Sequence, residues 1–281
     1  MVNFNGTLHE SSSNLLSLEN RGYAYGDALF ETIKVVHGKI LFWEDHYFRL
    51  MASMRILRME IPMDFTMEFI ESEILKTVEA NQLMKATARV RMNVHRVEGG
   101  KYTPTSNDIN YNIIAERLES DFYALNTGPY TIELFKDFYV APGLLSTLKT
   151  TGKNINILGS IFAKENNFEN CLLLNTEKTV VEALNGNLFL VKDRVIKTPP
   201  LSEGCLKGIM RKQMIAIVEQ LEGYILEEAP ISPFELQKAD ELFITNCIVG
   251  IQPVTNYRKK EFTTEVSKLL IERLNMKIRL S

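Results

Sequence analysis

Leu29-Phe30-Glu31-Thr32-Ile33-Lys34-Val35-Val36-His37-Gly38-Lys39-Ile40-Leu41-Phe42, followed at once by residues 43–57, carries the change of period that decides the fold class. Ile33, Val35 and Val36 are β-branched, so residues 29–36 read as a strand. His37-Gly38 suits a tight turn, and residues 39–42 form the returning strand. From Trp43 the apolar residues Trp43, Tyr47, Leu50, Met51, Met54 and Leu57 recur every three or four positions, the spacing of an amphipathic helix. Glu44 and Asp45 fall in its first turn, where the helix dipole favours them. A hairpin feeding a helix excludes an all-helical or all-strand chain.

The same alternation continues outward. Residues 65–80 predict a second helix, and 86–94 and 109–115 predict strands around the loop Glu98-Gly99-Gly100-Lys101-Tyr102-Thr103-Pro104. The pattern weakens over 116–129, which places a domain boundary near 120/121: an N-terminal domain over 1–120 and a C-terminal domain over 121–281. The second half reads as strands over 130–140, 171–175, 188–191, 194–197 and 241–245, with helices over 154–167, 208–221 and 264–276. No internal repeat or low-complexity tract interrupts it. Strands mixed with helices in two halves give an α/β or α+β class and leave function open.

Composition narrows the function classes. The 281 residues are 45% hydrophobic and 24% charged, ordinary globular values. Lys+Arg is 32 against Asp+Glu 35, a net charge of −3, so nothing global draws the chain to nucleic acid or an anionic membrane. Three scattered cysteines, Cys171, Cys205 and Cys247, argue against a disulfide framework. The four histidines show no metal-ligand spacing, so no metal is expected. The N-terminus has no basic segment leading into an apolar one, and no run approaches the ~20 apolar residues that span a bilayer. A cytoplasmic protein is expected.

Four spots carry candidate chemistry. Lys149, in Leu148-Lys149-Thr150-Thr151-Gly152-Lys153, precedes a helix, and burial or positive neighbours would lower its amine pKa toward a nucleophile. Composition alone favours a solvated surface lysine. Ser202-Glu203-Gly204-Cys205-Leu206-Lys207-Gly208-Ile209-Met210-Arg211 is a small-residue loop opening a helix, where backbone N–H groups bind phosphate or simply start the helix. Glu182, before Asn185-Gly186-Asn187, is an acid at a strand-to-turn junction or a solvated loop charge. Arg49 lies at the edge of the apolar stripe of the 43–57 helix, suited to an anion or to covering the core with its stem.

These spots occur in an order that resembles the class IV aminotransferases, the fold-type IV pyridoxal-phosphate enzymes that include branched-chain and D-amino-acid aminotransferases and aminodeoxychorismate lyase. The carrying motifs are Arg21-Gly22-Tyr23-Ala24-Tyr25-Gly26-Asp27-Ala28-Leu29-Phe30-Glu31-Thr32, Glu44-Asp45-His46-Tyr47-Phe48-Arg49-Leu50, and Thr179-Val180-Val181-Glu182 running on to Asn187-Leu188-Phe189. Thr198-Pro199-Pro200-Leu201, Leu206-Lys207-Gly208-Ile209-Met210-Arg211 and Ala239-Asp240-Glu241-Leu242-Phe243-Ile244-Thr245 complete the set. The matches run from Arg21 to Val254.

The resemblance implies a small N-terminal α/β domain, a larger C-terminal domain with pyridoxal 5'-phosphate between them, and a homodimer. It implies Lys149 as the lysine joined to the cofactor, with Lys153 the competing candidate. Glu182 would face the pyridine nitrogen, Leu206 would pack on the ring, and Arg49 with the N–H groups of Ile209 and Met210 would hold the phosphate. Asn246 and Cys247 stand where relatives carry two phosphate-binding hydroxyl residues. Phe30, Arg91, Lys101 and Tyr102 would meet the substrate, although Arg89 replaces an expected tyrosine and Lys101 an expected arginine. The implied activity is amino transfer between a small amino acid, branched-chain or of D configuration, and a 2-oxo acid. The alternative is 4-amino-4-deoxychorismate lyase, releasing pyruvate and 4-aminobenzoate, toward which Lys101-Tyr102, Gly208 to Arg211 and Asn246 lean. A cofactor-binding protein without turnover, or a plain interaction domain, is a third class.

Overall fold

The computed structural model describes residues 1–280. The chain divides into two compact units: Met1–Asp121 joined by Lys149–Gly152, and Phe122–Leu148 joined by the chain from Lys153 onward. The four residues from Lys149, which lie on the C-terminal side of the expected boundary, thus belong to the first unit.

The first unit contains β1 (Val2–Phe4), β2 (Thr7–His9), α1 (Arg21–Tyr25), β3 (Ala28–Val36), β4 (Lys39–Ile40), α2 (Trp43–Ile56), α3 (Met67–Ala80), β5 (Thr87–Arg96) and β6 (Ile109–Leu118). Its strands form one antiparallel sheet in the order β2-β1-β6-β5-β3-β4. His37 and Gly38 both take positive φ, 48° and 77°, which matches the twist of a two-residue hairpin between β3 and β4. Side chains alternate as a half-buried sheet requires. Leu29, Ile33 and Val35 of β3 with Ala88, Val90, Met92 and Val94 of β5 are buried, and α2 and α3 pack on the sheet. Thr66 caps α3 by accepting from the Phe69 N–H at 3.2 Å.

The second unit contains β7 (Thr131–Val140), a 3-10 turn (Leu145–Thr147), α4 (Asn154–Glu165), β8 (Asn170–Asn175), β9 (Val180–Ala183), β10 (Asn187–Lys192) and β11 (Val195–Thr198). It continues with a 3-10 turn (Leu201–Glu203), α5 (Ile209–Val218), β12 (Ile225–Glu228), α6 (Pro233–Leu236), β13 (Glu241–Asn246), β14 (Gly250–Val254), β15 (Asn256–Tyr257), β16 (Lys260–Glu261) and α7 (Glu265–Leu280). Two five-stranded sheets result, β12-β11-β10-β13-β14 and β16-β15-β7-β8-β9. Their inner faces share one core, in which Ile132, Leu134, Leu172 and Leu174 meet Leu188, Leu190, Leu242 and Ile244. Helix α4 is the crossover between parallel β7 and β8. Helices α5 and α7 pack on β13. The buried Glu241 carboxylate accepts from the N–H groups of Val266 and Ser267, which anchors the start of α7.

The long periodic elements match the sequence expectations to within a few residues. The short ones, β1, β2, α1, β12, α6 and β14 to β16, were not anticipated, because two to five residues carry too little period to read. Among the described residues no helix is long and apolar enough to cross a membrane, and no three His, Cys, Asp or Glu side chains are grouped to hold a metal.

Candidate active site

The first unit gathers Lys149, Phe30 and Arg91, and the route by which it does so begins with a short strand. Because β4 pairs with β3 only at Val35 and Val36, the edge of β3 near Ala28 is open. Residues Lys149 to Thr151 take that edge. Leu29 and Thr150 form an antiparallel bridge, the Phe30 N–H donates to the Lys149 carbonyl at 2.9 Å, and the Thr151 N–H donates to the Ala28 carbonyl at 3.0 Å. The backbone of the lysine is therefore fixed as part of the sheet. Its Nζ lies 4.3 Å from the centroid of the Phe30 ring, and the guanidinium carbon of Arg91, on β5, is also 4.3 Å from that centroid. The two cations stand no further apart than twice that distance. Lys153 sits in the second unit as the N-cap of α4.

Arg91 differs from four other arginines of its unit. Arg21 and Arg96 pair with Asp27, Arg49 with Glu31, and Arg89 with Glu116. Arg91 makes no ion pair among the described residues. Burial, and then the neighbouring Arg89, lower its pKa, with Glu116 acting the other way. A half-buried guanidinium without a carboxylate is suited to an incoming anion.

Arg49 is buried on α2 and is gripped by Glu31 of β3. Its Nε donates to Glu31 Oε1 at 2.8 Å, and a terminal nitrogen donates to Oε2. His46, one turn earlier on the same helix face, donates from Nδ1 to Oε2 at 2.7 Å. Burial works to raise the Glu31 pKa, but Arg49 and His46 outweigh it and hold the carboxyl down at about 2. Sequence reasoning passed over Glu31 and His46. The signal was there: Glu31 occupies a core position in the row Leu29, Ile33, Val35, and a charge in such a row needs a partner.

Lys101 and Tyr102 do not join this cluster. They lie on the exposed loop after β5, whose backbone is held by Arg21: one terminal nitrogen donates to the carbonyls of Gly99 at 3.0 Å and Lys101 at 2.7 Å. Gly100 turns there at φ +74°, where a Cβ would meet the Thr103 carbonyl oxygen at 2.2 Å. Tyr102 contacts Tyr25 with ring centroids 6.0 Å apart.

The second unit assembles the remaining candidates. Glu182, on β9, accepts the Leu206 N–H at 2.9 Å, and the Asn187 amide donates to the Leu206 carbonyl at 2.9 Å. These two bonds fix the loop that leads into α5. Gly208 precedes the helix at a point where a Cβ would lie 1.9 Å from Asn187 Oδ1, so any side chain there must displace Asn187. Ile209 and Met210 are buried at the first turn of α5, and no side chain caps it. A buried, uncapped helix start offers N–H groups to an anion. Asn246, at the end of β13, uses its Oδ1 to accept from the N–H groups of Ile248 and Val249 at 3.0 and 2.9 Å. The Cys247 carbonyl accepts the Tyr123 hydroxyl at 2.6 Å.

One further group escaped the sequence. The Thr245 hydroxyl is buried with no hydrogen-bond partner among the described residues. Thr245 is directly opposite Asn187 in the β10–β13 ladder, so it shares the sheet face that carries Gly208 and the start of α5. An orphaned buried hydroxyl beside an uncapped helix start fits an oxygen-rich anion such as a phosphate. No spacing rule marks it, since one threonine in a strand is ordinary.

Comparison with known proteins identifies the family. The family model for amino-transferase class IV matches residues 28–257. A Methanocaldococcus jannaschii protein, assigned provisionally as a branched-chain-amino-acid aminotransferase, is 30% identical, covering 90% of this chain and 86% of its own. An aminodeoxychorismate lyase of Vibrio harveyi is 26% identical, over 87% of this chain and 88% of its own. The crystal structure of a branched-chain aminotransferase from the thermophilic archaeon Thermoproteus uzoniensis, with norvaline, superposes with a TM-score of 0.88 at 25% identity, covering 97% of this chain and 92% of that one. With motifs, fold and relatives in agreement, this chain belongs to the class IV aminotransferase family.

Proposed function

We propose that the protein is a pyridoxal-phosphate-dependent aminotransferase that moves an amino group between a small amino acid and a 2-oxo acid. The observation that carries this reading is the Lys149 amine seated on the Phe30 ring with Arg91 on the same ring. An amine that bonds a carbonyl carbon and a guanidinium for a carboxylate are the two groups an amino-acid site requires.

When bound, the cofactor supplies an electron sink for the bond broken at the substrate Cα. The chain supplies the rest. Lys149 would hold the cofactor through its amine and carry the proton at the substrate Cα. Glu182, fixed by the Leu206 N–H, would hold a proton on the ring nitrogen, and Leu206 would pack against the ring. Arg49 would suit the phosphate, as would the N–H groups of Ile209 and Met210, the turn at Asn246 and Cys247 and the Thr245 hydroxyl. Phe30 and Arg91 would receive the substrate, and Lys101 and Tyr102 would reach it only from their exposed loop. The donors present on each unit suit the group they would hold: an acid for a pyridinium, and cations, a hydroxyl and N–H groups for a phosphate.

The active form is proposed as a homodimer. Helix α4 exposes Ile157, Leu158 and Ile161, an apolar row that a second copy would cover. A cytoplasmic location fits the cysteines: Cys171 and Cys205 are free, and burial pushes the Cys171 thiol up to about 11 and Cys205 to about 12.

A substrate panel tests the activity. The purified protein is incubated with L-leucine or D-alanine plus 2-oxoglutarate, and separately with aminodeoxychorismate alone. Glutamate formation dependent on the oxo acid is expected. Release of 4-aminobenzoate without any oxo acid, and no glutamate, would replace this reading with the lyase.

A further inference from the structure

Arg91 is not held by its aromatic contact alone. Its Nε donates to Asn93 Oδ1 at 2.9 Å, and the Asn93 amide nitrogen donates to Asn112 Oδ1 at 2.8 Å. Asn93 and Asn112 face each other across the β5–β6 ladder, so the three side chains run along one face of the sheet, the face that also carries Phe30. Chemistry fixes the polarity of this chain. A guanidinium can only donate, so Asn93 must turn its oxygen to Arg91 and its NH2 to Asn112.

That polarity has a consequence for what Arg91 can bind. A guanidinium offers a carboxylate two bidentate edges, one built from Nε and a terminal nitrogen, the other from the two terminal nitrogens. Asn93 occupies Nε. The edge with both terminal nitrogens remains, and neither carries a hydrogen bond to the protein among the described residues. With its stem in β5 and its guanidinium carbon 4.3 Å from the Phe30 centroid, the side chain is further restrained in rotation about its last bonds by the Asn93 hydrogen bond.

We propose that Asn93 and Asn112 are positioning residues: through Nε they aim the end-on edge of Arg91 at the carboxylate of the substrate, and so set substrate affinity rather than the rate of the chemical step. The inference rests on the aminotransferase reading of Lys149 and Arg91. Neither asparagine touches the reacting amine, so their effect should appear wherever a carboxylate is recognised and vanish where none is present.

The test uses the holoprotein and four measurements: calorimetric binding of pentanoate, an unreactive carboxylate; KM and kcat for the amino acid turned over best; the spectroscopic rate of reaction with butylamine, which has no carboxylate; and thermal melting. For Asn93→Ala and Asn112→Ala, the pentanoate Kd and the KM should each rise about tenfold, the loss of one hydrogen bond to a charged group, with kcat within about twofold. The butylamine rate should not change. Asn112→Asp keeps an acceptor for the Asn93 NH2 and should remain within about threefold of the parent protein in Kd and KM. An unchanged pentanoate Kd in both alanine variants, a butylamine rate that falls in step with kcat/KM, or an Asn112→Asp protein no better than Asn112→Ala would each overturn the relay. Failure of the underlying reading looks different: the parent protein would form no reducible bond between Lys149 and the cofactor, while pentanoate binding by calorimetry would still report on Arg91 and its two asparagines.

Discussion

The two units hold their functional groups by different means. In the first, charged side chains hold one another: Glu31 grips Arg49 and His46, and Asp27 bridges Arg21 and Arg96. In the second, the main chain does most of the holding. Glu182 is set by the Leu206 N–H, Asn246 by two N–H groups of its own turn, and α5 begins with bare N–H groups behind a glycine. A site fixed by buried charges fails abruptly when one charge is lost, because its partner is left uncompensated. A site fixed by backbone shape is sensitive instead to any added atom. The contrast predicts where each unit breaks.

The largest effect on stability is expected at Glu31. Glu31→Ala leaves Arg49 and His46 buried without their carboxylate and should cost about 3–5 kcal/mol, read by urea denaturation. A loss below about 1 kcal/mol, the size of a surface pair, would show that the first unit does not depend on its buried charges. In the second unit the corresponding break is Gly208→Ala. Its methyl meets Asn187 Oδ1, so Asn187 must release Leu206. The cost should be about 1–3 kcal/mol together with weaker binding of pyridoxal phosphate, read by melting and by cofactor titration. Recovery of part of both losses in Gly208→Ala with Asn187→Ser would locate the clash.

Acid should also separate the units. Glu31 has its pKa depressed from 4.5 to about 2, so its ionised form favours the folded protein. That contribution is complete above 4.5 and is lost as the pH falls toward about 2. Replacing the group with Glu31→Gln should flatten the fall of stability across that window, measured by denaturation at stepped pH. A slope identical to that of the parent protein would mean that Glu31 is not the group responsible. The smallest effect on the monomer is expected at α4. Ile161→Lys should change the stability of the single chain by within about 0.5 kcal/mol while shifting a dimer to monomer by light scattering. A parent protein that is already monomeric would remove α4 as an interface.

What the sequence made legible follows the same division. The strand over 29–36 and the helix from Trp43 could be read because both elements are long enough to display a period; Lys149, Arg49 and Glu182 stood out only weakly by themselves, and their roles, like Arg91 altogether, came from the family resemblance. The open edge of β3 that receives Lys149 could not be read, because it depends on β4 stopping after two residues. Nor could the orphaned Thr245 hydroxyl or the clash that any side chain at Gly208 would meet, since both arise where strands and a helix distant in sequence come together. Glu31 is the intermediate case. Its place in an apolar row was visible, and only the identity of its partners needed the fold.

The whole account depends on the Lys149 amine. Holoprotein treated with borohydride and digested should yield one pyridoxyl-labelled peptide, with the label on residue 149, and Lys149→Ala should lose both the label and at least about 10³-fold of the amino-transfer rate. A label on Lys153, a label elsewhere, or an alanine variant that still turns over would contradict it.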